Sequence, residues 1–341
     1  MHGAFSMKKS LTIYRSMFEK AWQMTWQHKE LWIIAAVAGL ANTGAVFRSV
    51  LRGFSHLQPA DQLNVEQAQD ALLGMPWLVT YLEHLVTLSP ARIIFTIASA
   101  AILLLAAALA AMAAQHVLIL GIDKKIKSRK ALNLHAIIHA IKHAHLWRLL
   151  AVNIIMVLAT TITIALGALV LVPLLSDSAI IDTLAFSGVY IIVLPILFAV
   201  SALGMLTLIQ IVRQDRTIPE AAIGTWNLLR RNWLVTLETT LLLFIVNALI
   251  SLLLLIIISA YALIVILLLF AAYNVGSFAL MVTVGVLGVL GAVIIFLFHA
   301  GIVSCFNYSV WTQLAHRLER HGLFPGLEGI VRWVLKPLRG N

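Results

Sequence analysis

LVTLETTLLLFIVNALISLLLLIIISAYALIVILLLFAAY, residues 234 to 273, holds a single ionisable acid, Glu238, and neither glycine nor proline. Wound as one helix at about 1.5 Å per residue it would reach about 60 Å, roughly twice the hydrocarbon thickness of a bilayer. Such a run belongs in lipid. Strong tilt, a partly re-entrant stretch near Ser259 or a protein-packed outer extension would each accommodate its length.

Five further runs flank it: Leu31 to Phe47, Ile93 to Ile122, Leu149 to Leu175, Leu184 to Val212 and Val275 to Thr312. The whole chain of 341 residues is 61% hydrophobic, only 11% charged, and has a mean hydropathy of +0.97. Soluble domains carry about 25% charged residues. The expectation is an all-α, polytopic integral membrane protein with six transmembrane helices, the first of them an uncleaved signal anchor.

Lysine and arginine set the orientation, because cytoplasmic segments retain positive charge. Residues 1 to 30 hold five, 123 to 148 seven, 213 to 231 four and the tail after Thr312 five; the alternate segments hold three, none and none. Both termini are therefore expected on the cytoplasmic side of a prokaryotic inner (plasma) membrane. The formal charge of +10 follows from the same bias. It points to anionic headgroups at that face as partners, with other membrane proteins as further candidates and nucleic acid as the poorer explanation. The lone Cys305 precludes an intramolecular disulfide and any CxxC motif.

Ahead of each outward-going run lies an amphipathic stretch closed by tryptophan: MFEKAWQMTWQHKELW to Trp32, AIIHAIKHAHLW to Trp147 and AAIGTWNLLRRNW to Trp233. In the third, Ile218, Ala222, Trp226, Leu229 and Trp233 form a stripe opposite Glu220, Asn227, Arg230 and Arg231. Helices of this kind lie in the headgroup plane. The chain divides accordingly into three parallel repeats of interfacial helix plus hairpin, 1–130 (with an outer loop at 48–92), 131–216 and 217–316, followed by a basic interfacial tail at 317–341. Gly285, Gly288 and Gly291 suit close helix packing, with a hinge as the other use.

Glu238 is the sharpest candidate for a binding site, because a carboxylate inside the boundary costs several kcal/mol unless paired or protonated. His116, Gln115, His299, Asn307, Gln210 and Asn153 are polar groups on other runs, and a cluster of Glu238 with His116 or His299 among them would form a proton-relay or substrate-coordinating layer. The competing use is an interhelical hydrogen-bond girdle, or Glu238 reaching back to the headgroups. His135, His139 and His143 fall at intervals of four, a spacing open to metal chelation, headgroup contact or an ordinary solvated face. No acid or cysteine accompanies them, so neither a metal nor a cofactor is expected. HExxH, GxSxG and GxxxxGK[ST] are all absent from the chain, which points away from an enzyme.

Parallel copies of two spans resemble the mitochondrial solute carriers in plan only, since Pro173, Pro195 and Pro219 are not followed by the carrier acid and base. AWQMTWQHKELWIIAAVAGL (Ala21 to Leu40), with the basic turns and tryptophans of Ile122 to Leu150 and Ile211 to Leu237, more closely resembles prokaryotic six-span proteins related to the glycerophosphodiester phosphodiesterase membrane domain. That resemblance implies a helical membrane fold and supplies no catalytic residue. A transport or lipid-handling membrane component is the leading expectation, and a non-catalytic scaffold or assembly partner is the alternative.

Overall fold

The computed structural model describes residues 2–42, 90–127, 143–171 and 179–320. Among them every regular element is a helix: α1 (His2–Gln27), α2 (Glu30–Asn42), α3 (Pro90–Lys127), α4 (His143–Leu171), α5 (Ala179–Gln214), α6 (Ile218–Arg231), α7 (Trp233–Asn274) and α8 (Phe278–Arg320). The outer loop up to residue 89, the positions of His135 and His139, and the tail 321–341 lie outside the described residues.

Five helices are long and apolar enough to cross a membrane: Ile94–Lys127, His145–Leu171, Ile181–Gln214, Trp233–Asn274 and Phe278–Glu319. The run expected first begins as α2, whose 13 residues reach about 20 Å, and 43–47 fall outside the described residues. The decisive stretch is one unbroken helix, α7, of 42 residues. Nothing in its sequence would stop it, as neither glycine nor proline interrupts the leucine and isoleucine run. It ends at Gly276, whose φ of +68° suits a residue without Cβ, and Ser277 Oγ then accepts the Leu280 N–H to start α8.

Consecutive helices pair as α2 with α3, α4 with α5 and α7 with α8, while α8 also packs extensively on α2 and α1. Burial is confined to one end of this assembly. Side chains Ile94 to Ala110 of α3 are exposed or half-buried, and burial starts at Ala111; on α5 it starts at Leu197. On the helices running the other way it stops early, at Asn153 on α4 apart from Gly167, and at Leu243 on α7 apart from Ala272. Of α8, only Gly288 is buried between Phe278 and Ala300, whereas Phe306, Tyr308 and Leu314 further on are fully enclosed.

The long helices therefore share a packed end and continue as largely exposed apolar segments, roughly 24 to 27 Å long in α3, α4 and α5 and about 46 and 35 Å in α7 and α8. Exposed leucine and isoleucine at that density have lipid as their natural solvent. The excess length of α8 is taken up by protein packing at its Arg320 end. α7 keeps enough exposed length to require tilt in a bilayer.

Two close approaches hold the pairs. A Cβ on Gly288 would lie 2.7 Å from Val265 Cγ1, and one on Gly291 would collide with the Tyr261 hydroxyl, which donates to the Gly288 carbonyl at 3.1 Å. Gly288 and Gly291 thus serve α7–α8 packing, and Gly285 faces open space. At Gly301 an added Cβ would strike the backbone of Trp32, 3.1 Å from its carbonyl carbon, so α2 and α8 touch backbone to backbone.

α1 does more than float beside the bundle. Its Met17, Ala21 and Thr25, at intervals of four, are buried, and Phe18 and Trp22 pack edge-on against Phe306 of α8. The opposite face exposes Arg15, Glu19, Lys20, Gln23 and Gln27, together with Trp22 and Trp26, so the packed end presents a mostly polar coat. Trp32 fastens the turn between α1 and α2, its indole N–H donating to the Thr25 carbonyl at 2.7 Å.

Candidate functional site

Each returning helix ends on an acid followed by a base: Asp123-Lys124 on α3, Asp215-Arg216 after α5 and Glu319-Arg320 on α8. Folding brings two of these acids onto one arginine. Arg213 Nε donates to Asp123 Oδ1 at 2.6 Å, while its Nη1 and Nη2 grip Glu319 Oε1 and Oε2 at 3.1 and 3.2 Å. This forked geometry uses the planar guanidinium in a way an ammonium cannot.

His316 completes the node. Its Nε2–H donates to Asp123 Oδ1 at 2.7 Å, and its Nδ1 accepts from Arg213 Nη2 at 3.1 Å, partners that fit one tautomer. Lys127 reaches Asp123 Oδ2 at 2.7 Å, and Gln214 donates to Glu319 Oε1 at 2.9 Å. Asp123 and Arg213 are both about 5% exposed or less as side chains, so neither charge would be tolerated alone. The layer thus ties α3, α5 and α8 together where they leave the apolar region.

A second node fixes the turn after α5. Asp215 adopts a left-handed φ of 54° and accepts from His145 Nε2 at 2.6 Å and Arg148 Nη1 at 3.3 Å, both on α4. The His145 ring lies on that of His116 of α3, with centroids 5.0 Å apart.

The seven residues expected to form a polar layer do not gather at one place. Glu238 accepts a hydrogen bond from Tyr14 of α1. Burial and that carboxylate push the Tyr14 phenol well above its ordinary pKa, which keeps it a donor. Asn153 of α4 donates to Gln115 Oε1 of α3 at 3.0 Å, Asn307 of α8 accepts from Asn247 of α7 at 3.1 Å, and Gln210 of α5 accepts from Arg216 at 3.0 Å. His116 meets His145, as above, and His299 is half-buried on α8 with no partner for Nε2 among the described residues.

A count of lysine and arginine alone does not reveal this layer, because its acids Asp123 and Glu319 do not enter it. The repeated acid-base pair at the end of each returning helix is the signal that reveals it. No protein family, curated protein or solved structure matches the chain. Likeness to the phosphodiesterase-associated membrane domain accordingly rests on sequence pattern alone.

Proposed function

We propose that this chain is a non-catalytic scaffold of the prokaryotic inner membrane, with six spans, three parallel repeats and both termini cytoplasmic. The carrying observation is that these side chains make separate contacts: Glu238 with Tyr14, Asn153 with Gln115 and Asn307 with Asn247 join three different helix pairs, and Gln210 meets Arg216 in the turn after its own helix. Individually satisfied polar contacts orient helices, whereas a transport path needs them to converge on one wet space. Hairpin pairing and the recurring acid-base helix ends support the repeats. The polar coat on α1 and the basic residues clustered at the packed end support its placement at the cytoplasmic face.

Transport or lipid handling has one observation in its favour. Gln115 Nε2 and Gln210 Nε2 are buried without a hydrogen-bond partner among the described residues, a condition that water would relieve. Cysteines placed singly at Asn153, Gln115 and Gln210, in a Cys305→Ala background, separate the two functions. A scaffold predicts that a membrane-impermeant maleimide leaves all three unlabelled in sealed vesicles of either orientation. Labelling at all three would reinstate the transport path.

A further inference from the structure

α6 is docked by its small side. Ala221 and Thr225 are buried, as is Asn232 just past its end, and α5 is its main neighbour. Pro219, Ile223, Trp226 and Arg230 recur at helical spacing along the outward face, and all four are exposed. Trp226 is 53% exposed and Ile223 62%, while Trp233, the first residue of α7, is 60% exposed. In sequence Arg230 falls four residues after Trp226 and three before Trp233, and Arg231 follows it.

The charge on this helix is segregated. Its one acid, Glu220, takes the Thr217 backbone N–H at 3.0 Å at the opposite end, and that hydrogen bond holds its carboxyl below the usual carboxylate range. Arg230 and Arg231 make no ion pair among the described residues. The neighbouring basic groups are already engaged, Arg148 with Asp215 and Arg216 with Gln210. Two unpaired guanidiniums beside an exposed apolar stripe call for an occupant that is anionic and apolar at once.

We propose that the α6 stripe is a docking surface for an anionic phospholipid, with Arg230 and Arg231 on the headgroup phosphate and Trp226, Ile223 and Trp233 against the glycerol and upper acyl chain. A free phosphate would satisfy the arginines and leave both indoles in water, so the lipid is the better match. The site rests on the membrane placement proposed above, but its test is separate from the maleimide experiment.

The full chain, purified in detergent, is titrated with phosphatidylglycerol or phosphatidylcholine and the retained lipid is counted by native mass spectrometry. Phosphatidylglycerol is expected to be retained preferentially. R230Q/R231Q is expected to lower its retention about 30-fold while leaving the melting temperature unchanged. K20Q/K29Q, which removes two exposed charges from the α1 side, is expected to leave retention within about twofold. Equal retention of the two lipids, an unaffected R230Q/R231Q protein, an equal loss in K20Q/K29Q, or displacement of the lipid by inorganic phosphate would each overturn the assignment.

Discussion

Arg213→Ala is expected to destabilise the protein by about 3 to 5 kcal/mol, the cost of leaving a buried partner charge uncompensated. Asp123 would keep His316 and Lys127 but lose its closest cation, and Glu319 would lose both arms of the fork. Because the arginine joins α3, α5 and α8 at once, its loss is felt across the packed end. Arg213→Lys is expected to recover only part, since one ammonium cannot serve Asp123 and both Glu319 oxygens together. Adding Asp123→Asn to Arg213→Ala should restore stability relative to the single variant by removing the stranded carboxylate. Apparent melting temperatures in one detergent, followed by circular dichroism, read all three; a double variant no more stable than Arg213→Ala would show that the pair acts independently.

Gly301→Ala is the second large effect, with an expected loss of about 1 to 3 kcal/mol for a single added methyl. The obstacle is the Trp32 backbone, which cannot turn aside as a side chain can. Gly204→Ala supplies the contrast, for its new methyl would meet the flexible end of Met156, and Gly285→Ala would meet nothing within 4 Å. Expected stabilities therefore fall in the order Gly285→Ala, Gly204→Ala, Gly301→Ala, the first close to the unmodified protein. Equal melting temperatures for the Gly301 and Gly285 variants would mean that α2 and α8 do not approach as described.

Helix identity was legible because lipid-length apolar runs admit few alternatives. The run read at Leu234 to Tyr273 and the helix Trp233–Asn274 differ by one residue at each end. Ile93 to Ile122, by contrast, extends as helix through Lys127, because charged residues at a C-terminus favour helix continuation and the local pattern shows no stop. What the sequence hid were pairings across the chain. Tyr14 and Glu238 are 224 positions apart, and Asp123 and His316 are 193 apart, so no periodicity links them. Tyr14 also lies ahead of the stretch read as interfacial, in a helix that packs along α8 rather than beside it. The α6 spacing sets Arg230 opposite an Ile218–Ala222–Trp226–Leu229 stripe, whereas the structure buries Ala221 and Thr225 and leaves Ile223, Trp226 and Arg230 exposed together, a division that depends on where α5 lies.

One spatial division is central: acid-base layer and charged face of α1 outside the hydrocarbon, exposed apolar segments within it. Spin labels at single cysteines introduced at Lys20, Lys127, Leu103, Leu158 and Ile266, in a Cys305→Ala background reconstituted in bilayers, test this by power saturation with a lipid-soluble and a water-soluble relaxant. Leu103, Leu158 and Ile266 should respond to oxygen and be shielded from the aqueous nickel chelate, while Lys20 and Lys127 should show the reverse. Oxygen-dominated relaxation at Lys20 and Lys127, or nickel-dominated relaxation at the three apolar positions, would contradict it.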